Sequence, residues 1–179
     1  MSTIPLPDNL MIATERLIIR PICGDDASGF FALRQDPAVT AMMGFSPYVR
    51  MEEAERYVTT RMQMMKDGDC LFWAVTLKGS GAFIGSVCLW NFRLETGSAE
   101  IGYELLPAFH GKGYASEAIR AVTAYAFSTL GFSCVDALVD PNNAPSQRVL
   151  LHNGFSCFGA TKRSGDAPEL IRYALTPGN

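Results

Sequence analysis

Residues 99–121 read A-E-I-G-Y-E-L-L-P-A-F-H-G-K-G-Y-A-S-E-A-I-R-A, and this stretch decides the fold. Ile101, Tyr103 and Leu105 alternate along a run dense in apolar residues, which predicts a buried strand over 99–106. His110, Gly111, Lys112, Gly113, Tyr114 and Ala115 then form a glycine-rich turn. Beyond it Ala115, Ile119, Val122, Ala126 and Leu130 fall on one helical face. A strand, a glycine turn and a helix together aim several backbone N–H groups at one point, because the first turn of a helix has unpaired donors and a partial positive charge. That arrangement suits a phosphate. Gly111 and Gly113 let the backbone approach closely, since no Cβ intrudes, and Lys112 adds a mobile positive charge. The spacing matches neither the dinucleotide fingerprint G-x-G-x-x-G nor the P-loop pattern.

Upstream, residues 1–13 are proline-containing and aperiodic and read as a flexible or loosely docked lead-in. Residues 14–22, T-E-R-L-I-I-R-P-I, predict a strand ended by Pro21. Asp25 opens a helix that turns Phe30, Phe31 and Leu33 inward and stops near Asp36-Pro37. Residues 38–50 read as irregular. A second helix is predicted over 51–66, with Glu52, Glu53 and Glu55 in its first turns, where negative charge favours the helix dipole. Strands at 70–78 and 82–92 flank Gly79-Ser80-Gly81 as a hairpin, and 95–98 turns into the central strand. Downstream follow a strand at 133–139, a short helix at 144–153 capped by Gly154, and strands at 155–162 and 170–175.

The 179 residues are enough for one domain with a sizeable core, and 18% charged against 48% apolar residues describes a globular chain. The boundaries read as a lead-in at 1–13 and one domain at 14–179. A net charge of −3 argues against a general nucleic-acid binder and is compatible with a cationic amine substrate. Five scattered cysteines without a C-x-x-C pair, and two histidines, predict no metal site and a reduced, cytoplasmic setting. Residues 1–10 lack a basic start and an apolar core, so no secretory signal is read, and no apolar run is long enough to span a membrane.

A second motif, N-A-P-S-Q-R-V-L at 143–150, is followed by Gly154-Phe155. It resembles the N-x-x-S-x-x-V-L…G-F pattern of the GNAT superfamily of N-acetyltransferases. The turn at 110–115 resembles that family's acyl-coenzyme A signature Q/R-x-x-G-x-G/A, with His110 where Gln or Arg is usual. The T-E-R-L start at 14–17 resembles its RimJ/RimL-type branch. The resemblance covers nearly the whole chain. It implies an α+β fold: a central, mostly antiparallel twisted sheet, splayed at its middle strands and flanked by helices.

By resemblance, acetyl-CoA is the acyl donor and a primary amine, a peptide N-terminus or a small molecule, is the acceptor. The acetyl group passes directly within a ternary complex, with no metal, nucleic acid or membrane involved, in a monomer or homodimer. Gly111, Lys112, Gly113, Tyr114 and Ala115, with His110 beside them, are implied to hold the pyrophosphate. Backbone groups of Glu104, Leu105 and Leu106 are implied to meet the acyl carbonyl and the pantetheine arm, which Asn143 also bonds. Glu100 is the candidate general base and Glu104, on the same face by period two, the competing one. Ser146 is the candidate acid near the sulfur, since Leu150 stands where many members carry a Tyr. Helix capping by Asn143 and Ser146 is the alternative role for that pair, and a non-catalytic acyl-CoA sensor or scaffold is the alternative function.

Overall fold

A computed structural model of the protein describes residues 3–41, 46–163 and 167–178. Eight strands form one sheet: β1 (Ile12–Ala13), β2 (Leu17–Pro21), β3 (Cys70–Leu77), β4 (Phe83–Arg93), β5 (Ser98–Leu105), β6 (Cys134–Val139), β7 (Ser156–Thr161) and β8 (Leu170–Leu175). They lie in the order β1-β2-β3-β4-β5-β6-β8-β7. Every neighbouring pair is antiparallel except β5 and β6. Among the described residues five α-helices accompany the sheet: α1 (Ala27–Arg34), α2 (Pro37–Ala41), α3 (Met51–Lys66), α4 (Tyr114–Ser128) and α5 (Ala144–His152).

The two faces follow from the period of two along each strand. Phe72, Cys88 and Gly102 are register partners, and Phe30 of α1 (tilted) and Tyr57 of α3 (edge-on) pack against Phe72 with ring centroids 6.0 Å away in each case. This face therefore carries α1 and α3, and by period two it also carries Glu100 and Glu104, the latter bonded by Arg34 of α1. Trp73, Val87 and Tyr103 are partners on the opposite face, where Tyr125 of α4 meets Trp73 edge-on at 6.1 Å. Ile119, Val122 and Ala126 of α4 are fully buried against the sheet, the helical stripe expected from their spacing. β3 lies between both layers and is buried from Cys70 to Thr76, as a strand covered on both faces must be.

The α+β fold expected from the sequence is the one observed, and most elements fall within a residue or two of their predicted bounds. The exceptions have local causes. α1 ends at Arg34, close to the expected stop at Asp36-Pro37, but Pro37 then opens α2 in a stretch read as irregular, because proline's missing N–H costs nothing in a helix's first turn. The rest of the stretch read as irregular includes 42–45, which lies outside the described residues. Asp25 lies in a 3₁₀ turn, Gly24–Asp26, that leads into α1. There Arg20 grips Asp26 through two bonds of 2.7 and 2.8 Å. Burial works against the Asp26 charge, yet Arg20 and the Cys23 N–H outweigh it and hold that carboxyl below its ordinary range.

The lead-in lies against the domain. Trp73 Nε1 donates to the Leu10 carbonyl at 2.7 Å, Tyr125 donates to the Asn9 carbonyl at 2.8 Å, and β1 adds a short edge strand. Among the described residues no helix is long and apolar enough to cross a membrane.

Candidate active site

The site starts where β5 and β6 part. They pair in parallel only over Ser98–Cys134, Ala99–Val135 and Glu100–Asp136. Beyond Glu100, β5 keeps its partner β4 as far as Leu105, while β6 pairs onward with β8. The second edge of β5 is thus open over 101–105. Leu106 donates its N–H to the Ile84 carbonyl at 2.9 Å and accepts from the Phe109 N–H at 2.9 Å. The expectation that Leu106 offers a free backbone donor is therefore corrected: β4 takes it. Alternation along the strand turns the N–H groups of Tyr103 and Leu105 toward the open edge instead, and the Glu104 N–H, in step with Leu106, toward β4. Gly85, opposite Leu105, permits this close pairing; a Cβ there would lie 2.2 Å from the Glu104 carbonyl.

The glycine turn closes one end of the gap. Gly111 and Gly113 have φ of +71° and +80°, and Gly113 caps α4. A Cβ at Gly111 would meet nothing, so conformation, not crowding, requires glycine there. The first acceptor inside α4 is the Gly113 carbonyl, which takes the Glu117 N–H at 3.1 Å, leaving the N–H groups of Tyr114, Ala115 and Ser116 without an intrahelical partner. The His110 side chain is engaged by the strand: its Nε2–H donates to the Leu105 carbonyl at 2.8 Å. It ties the turn to the open strand and occupies that carbonyl.

A clamp absent from the sequence reading fixes this turn from outside. Arg16 donates to Glu117 at 2.6 Å and to the Lys112 carbonyl at 2.9 Å, and stacks on Tyr114 at 4.6 Å. The Thr14 hydroxyl and the Arg16 N–H also bond Glu117, at 2.6 and 2.9 Å. Burial raises the Glu117 carboxyl, but these donors outweigh it and hold it below its ordinary range. An acid in the first turn of α4 would repel a phosphate; here its charge is already matched. The signal was the T-E-R at 14–16, which in one dimension reads only as the start of a strand.

At the other side of the gap, Asn143 caps α5 by accepting the Ser146 N–H at 3.1 Å, so the capping role is real. The Ser146 hydroxyl lies 2.7 Å from that of Tyr103, either one donating. Tyr103 was read only as part of the strand's apolar alternation. Its ring lies on the α4 face, and its hydroxyl spans the gap to α5. Burial pushes it up to about 12, partly offset by Ser146, so it stays protonated throughout the neutral range. Leu150, one turn after Ser146, is wholly buried.

The two carboxylates differ in their freedom. Glu100 is 2% exposed; Arg163 grips both its oxygens, through Nη1 at 3.0 Å on Oε2 and through Nη2 on Oε1, and Asn91 donates to Oε2 at 3.3 Å. Glu104 is also buried. Its Oε1 accepts from Arg34 at 2.8 Å and from Ser86 at 3.1 Å, while Oε2 has no hydrogen-bond partner among the described residues. Burial opposes the Arg34 charge, but Glu104 and Tyr57 outweigh it and raise its pKa above the usual arginine value. Glu104 lies on the splayed half of β5, Glu100 on the paired half. Burial also pushes the Cys70 and Cys88 thiols up, to about 11 and about 12, so neither offers a thiolate at neutral pH. No group of three or more His, Cys, Asp or Glu among the described residues could hold a metal ion.

An open strand edge, a glycine-capped helix with free N–H groups and a hydroxyl pair across the gap fit an extended donor with a phosphate end and a thioester end. The chain matches the family described as Acetyltransferase (GNAT) domain over residues 16–156. It is 31% identical over 153 residues to the uncharacterized N-acetyltransferase YoaA of Bacillus subtilis, covering 86% of each chain. Among solved structures it resembles a GNAT-family acetyltransferase from Bacillus anthracis, with a TM-score of 0.81, 25% identity, and 93% of this chain and 98% of that one covered. It also resembles Mycobacterium smegmatis RimJ in complex with a CoA-disulfide, with a TM-score of 0.77, 25% identity, and 90% and 82% covered. The chain thus belongs to the GNAT family and is an acetyl-CoA-dependent N-acetyltransferase.

Proposed function

We propose that the protein acetylates a primary amine, a peptide N-terminus or a small-molecule amine, by direct attack in a ternary complex. The observation that carries this is the open edge of β5 between a donor-rich helix start and the Tyr103–Ser146 pair. The N–H groups of Tyr114 to Ser116, with Lys112, hold the pyrophosphate of acetyl-CoA, and the Asn143 amide and the β5 edge hold its pantetheine. The Leu105 N–H polarises the thioester carbonyl as charge develops on its oxygen. As the amine nitrogen bonds to the carbonyl carbon and the C–S bond breaks, the nitrogen sheds a proton and the sulfur leaves as thiolate.

Glu104 Oε2 accepts that proton, directly or through a water. It is favoured over Glu100 because Arg163 and Asn91 already occupy both Glu100 oxygens. A strong base is not needed: with a pKa near ~7.8, roughly one α-amine in seven is already neutral at pH 7. The Ser146 hydroxyl, backed by Tyr103, protonates the leaving sulfur. A thiolate is a tolerable leaving group, so Ser146→Ala or Tyr103→Phe should lower kcat only about 10-fold.

Thiol release from acetyl-CoA, with peptides, polyamines and aminoglycosides side by side, tests the function. One or more amines should gain an acetyl group on nitrogen by mass, with stoichiometric thiol. Binding of acetyl-CoA with no amine acetylated would make the protein a sensor or scaffold instead.

A further inference from the structure

The face of the sheet that carries Glu100 and Glu104 is not uniformly covered. α1 packs over β4 and α3 over β3, whereas over β5, β6 and β8 the surface opens into a cavity of about 700 Å³. The cavity begins at the mouth of the gap, since Glu100 is the last β5 residue paired to β6 and Leu138 lies on the β6 segment beyond the split; both line it. A volume of this size suits a ligand of several residues or a small molecule with room to spare.

Its charge is the reverse of the chain's. The protein carries a net −3, but the described lining has four cations, Arg93, Arg163, Arg172 and Lys162, against two carboxylates, Glu100 and Asp136. The two signs also lie at different depths. The carboxylate side chains are 3% and 6% exposed, while the guanidinium side chains above them are 38%, 38% and 41% exposed. Asp136 is shared by Arg93 and Arg172, the latter through Nη2 at 2.7 Å, so two guanidiniums divide one negative charge. Arg163 lies over Trp90 at 4.6 Å and Arg172 over Phe158 at 5.1 Å, which holds both forks in place. What an incoming molecule meets is therefore a floor of net positive charge, whose guanidiniums keep N–H donors beyond those spent on Glu100, Asp136 and Ser98.

We infer that this cavity selects acceptors bearing carboxylates close to the amine: an acidic amino acid, or the N-terminus of a peptide acidic at its first residues. This names the substrate class of the proposed acetyl transfer and rests on that reading. The amine end lies at the gap, and the carboxylates lie on Arg163, Arg172 and Arg93. A polycation meets the same floor with like charge, which costs affinity. The weak compatibility of the acidic chain with a cationic amine is thus reversed locally, because the field in a cleft is set by its lining rather than by the net charge.

The test compares kcat/KM for three C-terminally amidated peptides, Ser-Glu-Glu-Ala, Ser-Gln-Gln-Ala and Ser-Lys-Lys-Ala, and for glutamate against glutamine amide. The acidic peptide or glutamate should exceed its basic or neutral counterpart by about tenfold or more, and the margin should shrink as salt is raised. Which of the two leads tells whether the source is a peptide or an amino acid. Arg172→Gln leaves Asp136 its partner Arg93 and should bring the acidic-to-neutral ratio toward one; Arg172→Lys should keep most of it. Equal rates for acidic and basic acceptors, or a basic preference, would overturn the inference while leaving acetyl transfer standing. Calorimetry with N-terminally blocked Ser-Glu-Glu-Ala reads the floor without turnover. Should no amine be acetylated, the proposed function fails, and binding of this peptide that Arg172→Gln abolishes still decides for the cavity, as its absence decides against it.

Discussion

Gly113→Val should lose acetyl-CoA binding by 100-fold or more in calorimetry (about 3 kcal/mol) while the protein remains folded by circular dichroism. The residue sits at φ +80° as the cap of α4. A β-branched side chain at positive φ is a steric outlier. A Cβ at this place would also come within 3.3 Å of Arg16 Nη2, in the clamp that holds the turn to β2. The valine therefore has two ways to relax, and both cost the site. Either the backbone leaves the left-handed region and the N–H groups of Tyr114 to Ser116 swing out of line, or Arg16 is pushed off and Glu117 is left as an uncompensated acid where the phosphates bind. Unchanged affinity in a folded variant would mean that the pyrophosphate is held elsewhere.

Glu104→Gln is expected to lower kcat by about 10²-fold with acetyl-CoA affinity nearly unchanged. Glu100→Gln, whose oxygens are already engaged by Arg163 and Asn91, should change kcat by less than about threefold on the same argument. The pH dependence has a definite sign. As pH rises toward the acceptor's own pKa, more amine arrives neutral and less depends on the carboxylate, so the Glu104→Gln deficit should shrink. The substitution also breaks the buried ion pair between Glu104 and Arg34, 7% exposed, which should lower stability. Assays therefore belong well below the variant's own melting temperature. A Glu100→Gln enzyme that loses 10²-fold while Glu104→Gln is near wild type would reverse the assignment.

Much of this was legible before any coordinates. Strand, turn and helix over 99–121 follow from two periodicities and two glycines, because a change from a period of two to 3.6 at a glycine pair leaves few ways to fold. The capping role of Asn143 is equally local. What escaped depends on contacts distant in sequence. Arg163 lies 63 residues from Glu100 and Arg34 70 from Glu104, and no local pattern pairs either of them. The same holds for Arg16 and Glu117, and for Tyr103 and Ser146. Leu106 was misjudged because the parity of N–H groups along β5 depends on which residue β4 engages. The stop of α1 before Pro37 was legible, but the start of α2 at that same proline was not, since a proline that ends one helix also fits the first turn of the next. Local chemistry thus pointed to the proposed donor side of the site, whereas pairing across the sheet distinguishes the two carboxylates and brings together the hydroxyls proposed for the acceptor side.

The central claim is direct transfer within a ternary complex, and initial rates with acetyl-CoA and the amine varied together test it most directly. Burial keeps the Cys70 and Cys88 thiols protonated, and the hydroxyl pair Tyr103–Ser146 lies beside the gap as a donor rather than as an activated nucleophile. Double-reciprocal plots should therefore intersect, and protein incubated with radiolabelled acetyl-CoA alone should retain no acetyl group after denaturation. Parallel lines together with a stable acetyl-protein adduct would establish a covalent intermediate and contradict the account.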